Sequence, residues 1–273
     1  MNTNTTYQTD NATIHTTDSA SICKINVQEL MDAEPAVKAL VEHITDTNTL
    51  TTRKMMHEIG NAVTLINSSL QIIEASHPEV RDFKYWSSTM NDLKYLISLL
   101  AEISQFNTGN ILSLSETNIV ELIKSLTSSF TTLNEDISIS LTADDLIPDI
   151  LCDKTKLKQV LINIIKNASE ALENITDAKI DISVTFNHKD ICIVIADNGC
   201  GINAEQLDTI FTPMVTYKKY GSGLGLPISK KIIEAHGGSI SVKSAPHQGT
   251  VFTIQLPVTG PKTETKHPVI SDF

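Results

Sequence analysis

Apolar residues recur at spacings of three and four at Met56, Ile59, Val63, Ile66, Leu70 and Ile73, a continuous seam that predicts an amphipathic helix. A second stripe, Trp86, Met90, Leu93, Ile97 and Leu100, with Leu96, Leu99 and Ile103 beside it, predicts another. Pro78 falls between the two, and Asn107-Thr108-Gly109-Asn110 closes the second. A helical hairpin with this much apolar face cannot bury it alone. The economical solution is a dimeric four-helix bundle, and packing on the rest of its own chain is the alternative.

Past residue 110 the period changes. Runs at 137–141, 180–186, 191–195, 239–242 and 251–256 mostly alternate apolar and polar residues, which predicts strands with one buried and one solvated face. Helical spacing at 117–133, 154–174 and 224–236 supplies elements to cover the buried face. The expected fold is α+β, a helical hairpin followed by a two-layer α/β sandwich. The expected organisation is a disordered tail over 1–21, a helical lead-in of unknown role over 22–50, the hairpin over 51–110, the sandwich over 111–258 and a loose tail over 259–273.

Composition narrows the class. The 273 residues suffice for two domains, and a net charge of −11 argues against a nucleic-acid partner. No stretch approaches the roughly eighteen consecutive apolar residues of a membrane span, and no signal-peptide pattern opens the chain. Four cysteines, at 23, 152, 192 and 200, lack metal-ligand spacing and read as free thiols of a reducing, cytoplasmic compartment.

Candidate chemistry concentrates around Asp197-Asn198-Gly199-Cys200-Gly201 and Gly221-Ser222-Gly223-Leu224-Gly225-Leu226. Asp197 ends a strand of β-branched residues, where a buried carboxylate needs a donor, and the exocyclic amine of adenine is a suitable one. Gly199 and Gly201 let the chain turn sharply after it. Gly221, Gly223 and Gly225 open a helix whose first N–H groups and positive dipole end suit phosphate oxygens. Upstream, Asn163 and Asn167 lie four apart on one helix face, and an amide oxygen is a hard ligand suited to Mg²⁺. His57 falls off the apolar seam with Glu58 and Asn61, so it sits on an exposed face beside a carboxylate able to take its imidazole proton.

In order and spacing these motifs, with Phe211-Thr212-Pro213 and Gly249-Thr250, resemble the ATP-binding domain of sensor histidine kinases, the GHKL type shared with DNA gyrase, over residues 116–258. The resemblance implies that Asp197 binds adenine and that Asn167 ligates Mg²⁺, with Asn163 completing the metal and phosphate end. It implies that Thr250 and the glycines line the ATP site. Lys218 looks like a lysine that approaches the γ-phosphate, within a mobile lid over 201–220. ATP-hydrolysing relatives place a Glu where this chain has Asn163, and an amide cannot deprotonate water. His57, in Met55-Met56-His57-Glu58-Ile59-Gly60-Asn61, resembles the phosphoacceptor of that family, which implies transfer to an Asp of a response regulator. Here Gly60 stands in place of the usual Arg and Ala62-Val63 in place of Pro-Leu, so any bend below the histidine is expected from Gly60. Glu58 and Asn61 also resemble the Glu-x-x-Asn pattern that positions water for phosphatase activity. A phosphotransfer scaffold with a vestigial ATP module and an anti-sigma-type serine kinase remain as alternatives.

Overall fold

Residues 35–108, 111–133, 136–218 and 221–261 are described by the structure, a computed structural model. The expected tail at 1–21, the start of the 22–50 segment and most of the tail expected at 259–273 lie outside these residues.

Helix α1 (Pro35–Ser76) carries His57. It takes in residues 35–50 of the segment expected as a helical lead-in. No Gly or Pro occurs between Pro35 and Gly60 to stop it. Nor does Gly60 interrupt the helix, which stays regular to Ser76. A Cβ at Gly60 would meet no atom within 4 Å. Gly60→Ala should therefore stabilise the fold by about 0.5–1 kcal/mol through helix propensity alone, raising the thermal midpoint measured by circular dichroism.

A 3₁₀ turn (Pro78–Asp82) leads to helix α2 (Trp86–Thr108). The expected α1 seam splits in two. Val63 is buried, with Met56 and Leu70 half-buried on its line, whereas Ile59, Ile66 and Ile73 are 44%, 53% and 41% exposed. On α2, Met90 and Leu93 are buried while Tyr95 and Leu96 stay exposed. One heptad line is thus buried or half-buried and a second is exposed. Among the described residues no helix is long and apolar enough to cross a membrane.

The second layer system begins with β1 (Ser115–Thr117) and α3 (Ile119–Leu133), then β2 (Ser138–Ala143), β3 (Ile150–Cys152) and α4 (Lys154–Ala171). Strands β4 (Lys179–Phe186) and β5 (Asp190–Asp197) precede a short α5 (Ala204–Leu207), α6 (Gly225–Ala235), β6 (Ser239–Ser244) and β7 (Thr250–Pro257). All five expected strands form one sheet in the order β2-β4-β5-β7-β6, with only β2 and β4 parallel. A separate antiparallel pair, β1 with β3, has three-residue strands too short to show a period in sequence.

Alternation places Ile180, Ile182 and Val184 of β4, Ile191, Ile193 and Ile195 of β5, and Phe252, Ile254 and Leu256 of β7 in one buried face. Residues from α3, α4 and α6, among them Ile123, Leu161, Ile165 and Ile232, complete that core. Leu99, Ile103 and Phe106 of α2 also pack against it. The hairpin's C-terminal half therefore buries part of its apolar face on its own sandwich, while the α1 line stays uncovered.

His236, just after α6, is 1% exposed. Its Nε2 accepts from the Asp153 backbone N–H at 2.9 Å and its Nδ1 donates to the Ile232 carbonyl at 2.7 Å. Burial holds this imidazole below its ordinary value of 6.5, against the Ile232 hydrogen bond and the Asp153 charge. The unfolded chain protonates first, so the stability tied to His236 is full above about pH 6.5 and lost as pH falls below it. Lowering pH from 7 to 5 should depress the melting temperature, and His236→Gln should flatten that slope while costing about 1–3 kcal/mol at pH 7.

Candidate nucleotide and phosphoacceptor site

Asp197 continues the inward row of β5, paired across the sheet with Ile180 on one side and Thr250 on the other. Parity alone delivers a carboxylate to the apolar face at the sheet's end. Its Oδ1 accepts from the Gly199 N–H at 2.9 Å. Burial raises its pKa above the ordinary 3.8, opposed by hydrogen bonds from the Gly199 and Thr250 backbone. A carboxylate has about four lone-pair sites, so two backbone donors leave acceptor capacity for an amine. Gly199 is required by close approach, because a Cβ there would lie 2.6 Å from the Ala171 carbonyl at the end of α4. Thr250 is buried, its hydroxyl 3.0 Å from Ser244 Oγ, which in turn donates to the Gly249 carbonyl and accepts from Ile202. That network ties Gly201 and its neighbours to the β6–β7 hairpin.

Helix α4 is capped by Asp153, whose Oδ1 accepts from Lys156 N–H at 3.0 Å and whose Oδ2 accepts from Ser113 N–H at 2.9 Å. Desolvation acts against the charge, but these bonds win and hold its pKa below 3.8. On the face of α4 turned toward the glycine loop, Asn163 Nδ2 donates to Ser229 Oγ at 2.9 Å, and Ser229 donates to the Gly225 carbonyl at 2.9 Å. A Cβ on Gly225 would lie 2.5 Å from Asn163 Oδ1, so any larger residue there would have to displace the amide. Gly221 and Gly223 are half-buried ahead of Leu224, which caps α6 and is itself buried.

One turn beyond Asn163, Asn167 Oδ1 accepts from Lys218 Nζ at 2.7 Å, and Lys218 also donates to Glu170 Oε2. The ammonium stands in for a cation there, so the Asn167 amide oxygen is turned toward positive charge. Among the described residues no group of three His, Cys, Asp or Glu side chains could hold a metal.

His57 is exposed on α1, and its Nδ1 lies 3.2 Å from Asn61 Nδ2, one turn on. The imidazole's neighbour in hydrogen bonding is therefore Asn61, with Glu58 exposed beside it in the chain. Ser229 and Glu170 are site residues missed by motif reading. Glu170 follows Asn163 and Asn167 at helical spacing, a signal present in the sequence, whereas Ser229 meets Asn163 only through folding.

Residues 152–260 match the family described as histidine kinase-, DNA gyrase B- and HSP90-like ATPases. The chain is 32% identical to sporulation kinase D of Bacillus subtilis over 208 residues, covering 74% of this chain and 40% of that protein. It is 40% identical to the sensor histidine kinase ZraS of Escherichia coli over 125 residues, 46% of this chain and 26% of ZraS. The chain thus carries a domain of that ATPase family and is similar to sensor histidine kinases. It spans well under half the length of these curated relatives. Among solved structures, histidine kinase ThkA in complex with the response regulator protein TrrA matches with TM-score 0.54 at 26% identity, over 88% of this chain and 68% of that one. Full-length ShkA in complex with AMPPNP shares the fold at TM-score 0.65 and 21% identity, over 76% and 45%.

Proposed function

We propose that the chain is an ATP-dependent protein histidine kinase that phosphorylates His57 and passes the phosphoryl group to an Asp of a response-regulator receiver domain. The single observation that carries this reading is the convergence of a buried strand-end carboxylate, a paired-amide helix face and a glycine-opened helix in a chain that also exposes His57 on a hairpin. Asp197 would accept from the adenine amine, with Thr250 and Gly199 fixing it. The glycine-loop N–H groups and Lys218 would receive the phosphates.

Asn167, with Asn163 beside it, would hold Mg²⁺ by amide oxygen. The ion would supply neutralisation of phosphate charge. Asn163 is bonded to Ser229, so the position holds no group able to activate water, and the terminal phosphate is protected from hydrolysis. Asn61 Nδ2 donates to Nδ1, which leaves the ring proton on Nε2. Glu58 takes that proton, Nε2 attacks phosphorus, and the bond to the ADP oxygen breaks. Glu58 and Asn61 support a secondary phosphatase role toward the partner.

The outward line of Ile59, Ile66 and Ile73 supports a homodimer through the hairpin. Free Cys152, Cys192 and Cys200 support a cytoplasmic, reducing setting. Residues 51–110 would be the phosphotransfer hairpin and 111–258 the ATP-binding domain. Incubating the chain with γ-labelled ATP and Mg²⁺ should leave acid-labile, alkali-stable label on it. Label stable to acid would point instead to a serine acceptor and refute the reading.

A further inference from the structure

The hairpin reaches into the phosphate end of the proposed nucleotide site through one charged side chain. Glu102, on the C-terminal half of α2, accepts through Oε2 from the Ser222 hydroxyl, in the middle of the glycine loop. Ser222 Oγ in turn accepts from Leu224 N–H at 3.2 Å, the cap of α6. The loop and the first turn of an 11-residue helix form an anion-favouring place, and an anion borne by the hairpin already stands against it.

Around this contact α2 is held to the sandwich. Lys231 Nζ donates to the Phe106 carbonyl at 2.8 Å and lies 4.7 Å from the Phe106 ring centre, and Gln159 donates to Gln105 at 2.5 Å. A cavity of 320 Å³ opens beside these contacts, lined by Glu102 of α2, Asn163, Lys158 and Lys166 of α4, and Gly225 of α6. It adjoins the residues assigned to the phosphates, so a triphosphate bound there would lie close to the Glu102 carboxylate.

We infer that Glu102 is a specificity-determining residue of the nucleotide site, reading the charge of the phosphates and coupling their binding to the docking of the hairpin. The inference rests on the nucleotide reading of the site. Like charges brought together in a partly desolvated cleft repel, so ATP binds against Glu102 while adenosine does not. By linkage, the same coupling makes bound ATP weaken the Glu102–Ser222 contact and loosen α2 from the sandwich. The hairpin that carries His57 is thereby held less tightly when the phosphoryl donor arrives, by the remaining contacts of α2.

The test is calorimetric titration of the full chain with Mg·ATP and with adenosine. Glu102→Gln keeps the side chain's shape and removes its charge. It should tighten ATP by about fivefold or more and leave adenosine unchanged. Glu102→Asp, which keeps the charge, should stay near the parent, and thermal melts establish that both variants are folded. Amide hydrogen exchange across residues 99–106 should rise on adding ATP to the parent and not to Glu102→Gln. The inference is overturned if Glu102→Gln binds ATP no tighter than the parent, or if it tightens adenosine equally. A parent that binds adenosine but shows no exchange response to ATP overturns the coupling. Absence of binding by either ligand to the parent refutes the nucleotide reading itself.

Discussion

His57→Gln should reduce labelling of the chain by γ-labelled ATP to below about one-hundredth of the parent, a loss exceeding about 2.7 kcal/mol in the barrier at 1.36 kcal/mol per decade. The imidazole is the proposed nucleophile, and a carboxamide at the same place has no lone pair basic enough to attack phosphorus. ATP affinity should not change. His57 is exposed on α1 and its hydrogen bond runs to Asn61 on the same helix, so the substitution disturbs no contact of the nucleotide cleft. Loss of label with an unchanged dissociation constant is the signature of a missing acceptor. Label persisting on the variant would move the acceptor elsewhere, and a weakened ATP affinity would mean that the substitution perturbs the fold.

Asp197→Asn should have the complementary outcome, weakening ATP by about 1.5–3 kcal/mol, roughly ten- to a hundredfold, with little effect on melting temperature. The stability half of that expectation follows from its environment. Burial raises this carboxyl's pKa, so the folded state holds the ionised form at a disadvantage that falling pH relieves as it approaches the folded-state pKa. An amide escapes the penalty and keeps an oxygen for the Gly199 N–H. What it loses is the charged acceptor for the adenine amine. ATP affinity of the parent should accordingly fall as pH drops through the raised pKa of Asp197, and that of the variant should not. Equal pH profiles in parent and variant would remove Asp197 from base recognition.

Much of the sandwich was legible from period alone. Alternation from Ile191 to Asp197 states that Asp197 shares a face with Ile193 and Ile195, and the structure places it there beside Thr250. The helical spacing of Asn163 and Asn167 likewise states that both amides leave α4 on one side, where Ser229 and Lys218 meet them. These are local readings, because residue period and backbone geometry are set within a few residues of each other. The α1 seam was less legible. Hydropathy marks Ile59, Val63 and Ile66 alike as apolar, yet Val63 is buried while Ile59 and Ile66 are exposed.

Residue period alone sets the run of helices and strands and the face on which each polar residue of the motifs lies. Which of them meet is set by packing between elements far apart in the chain. Glu102 and Ser222 are 120 positions apart, Asn163 and Ser229 are 66 apart, and Lys218 reaches Asn167 and Glu170 across 51 and 48. Such pairs depend on which apolar surfaces pack first, since hydrophobic burial is non-directional and the polar contacts take whatever partners it brings within reach. The docking of Leu99, Ile103 and Phe106 against the sandwich is what carries Glu102 to the glycine loop. No local pattern in α2 encodes that meeting.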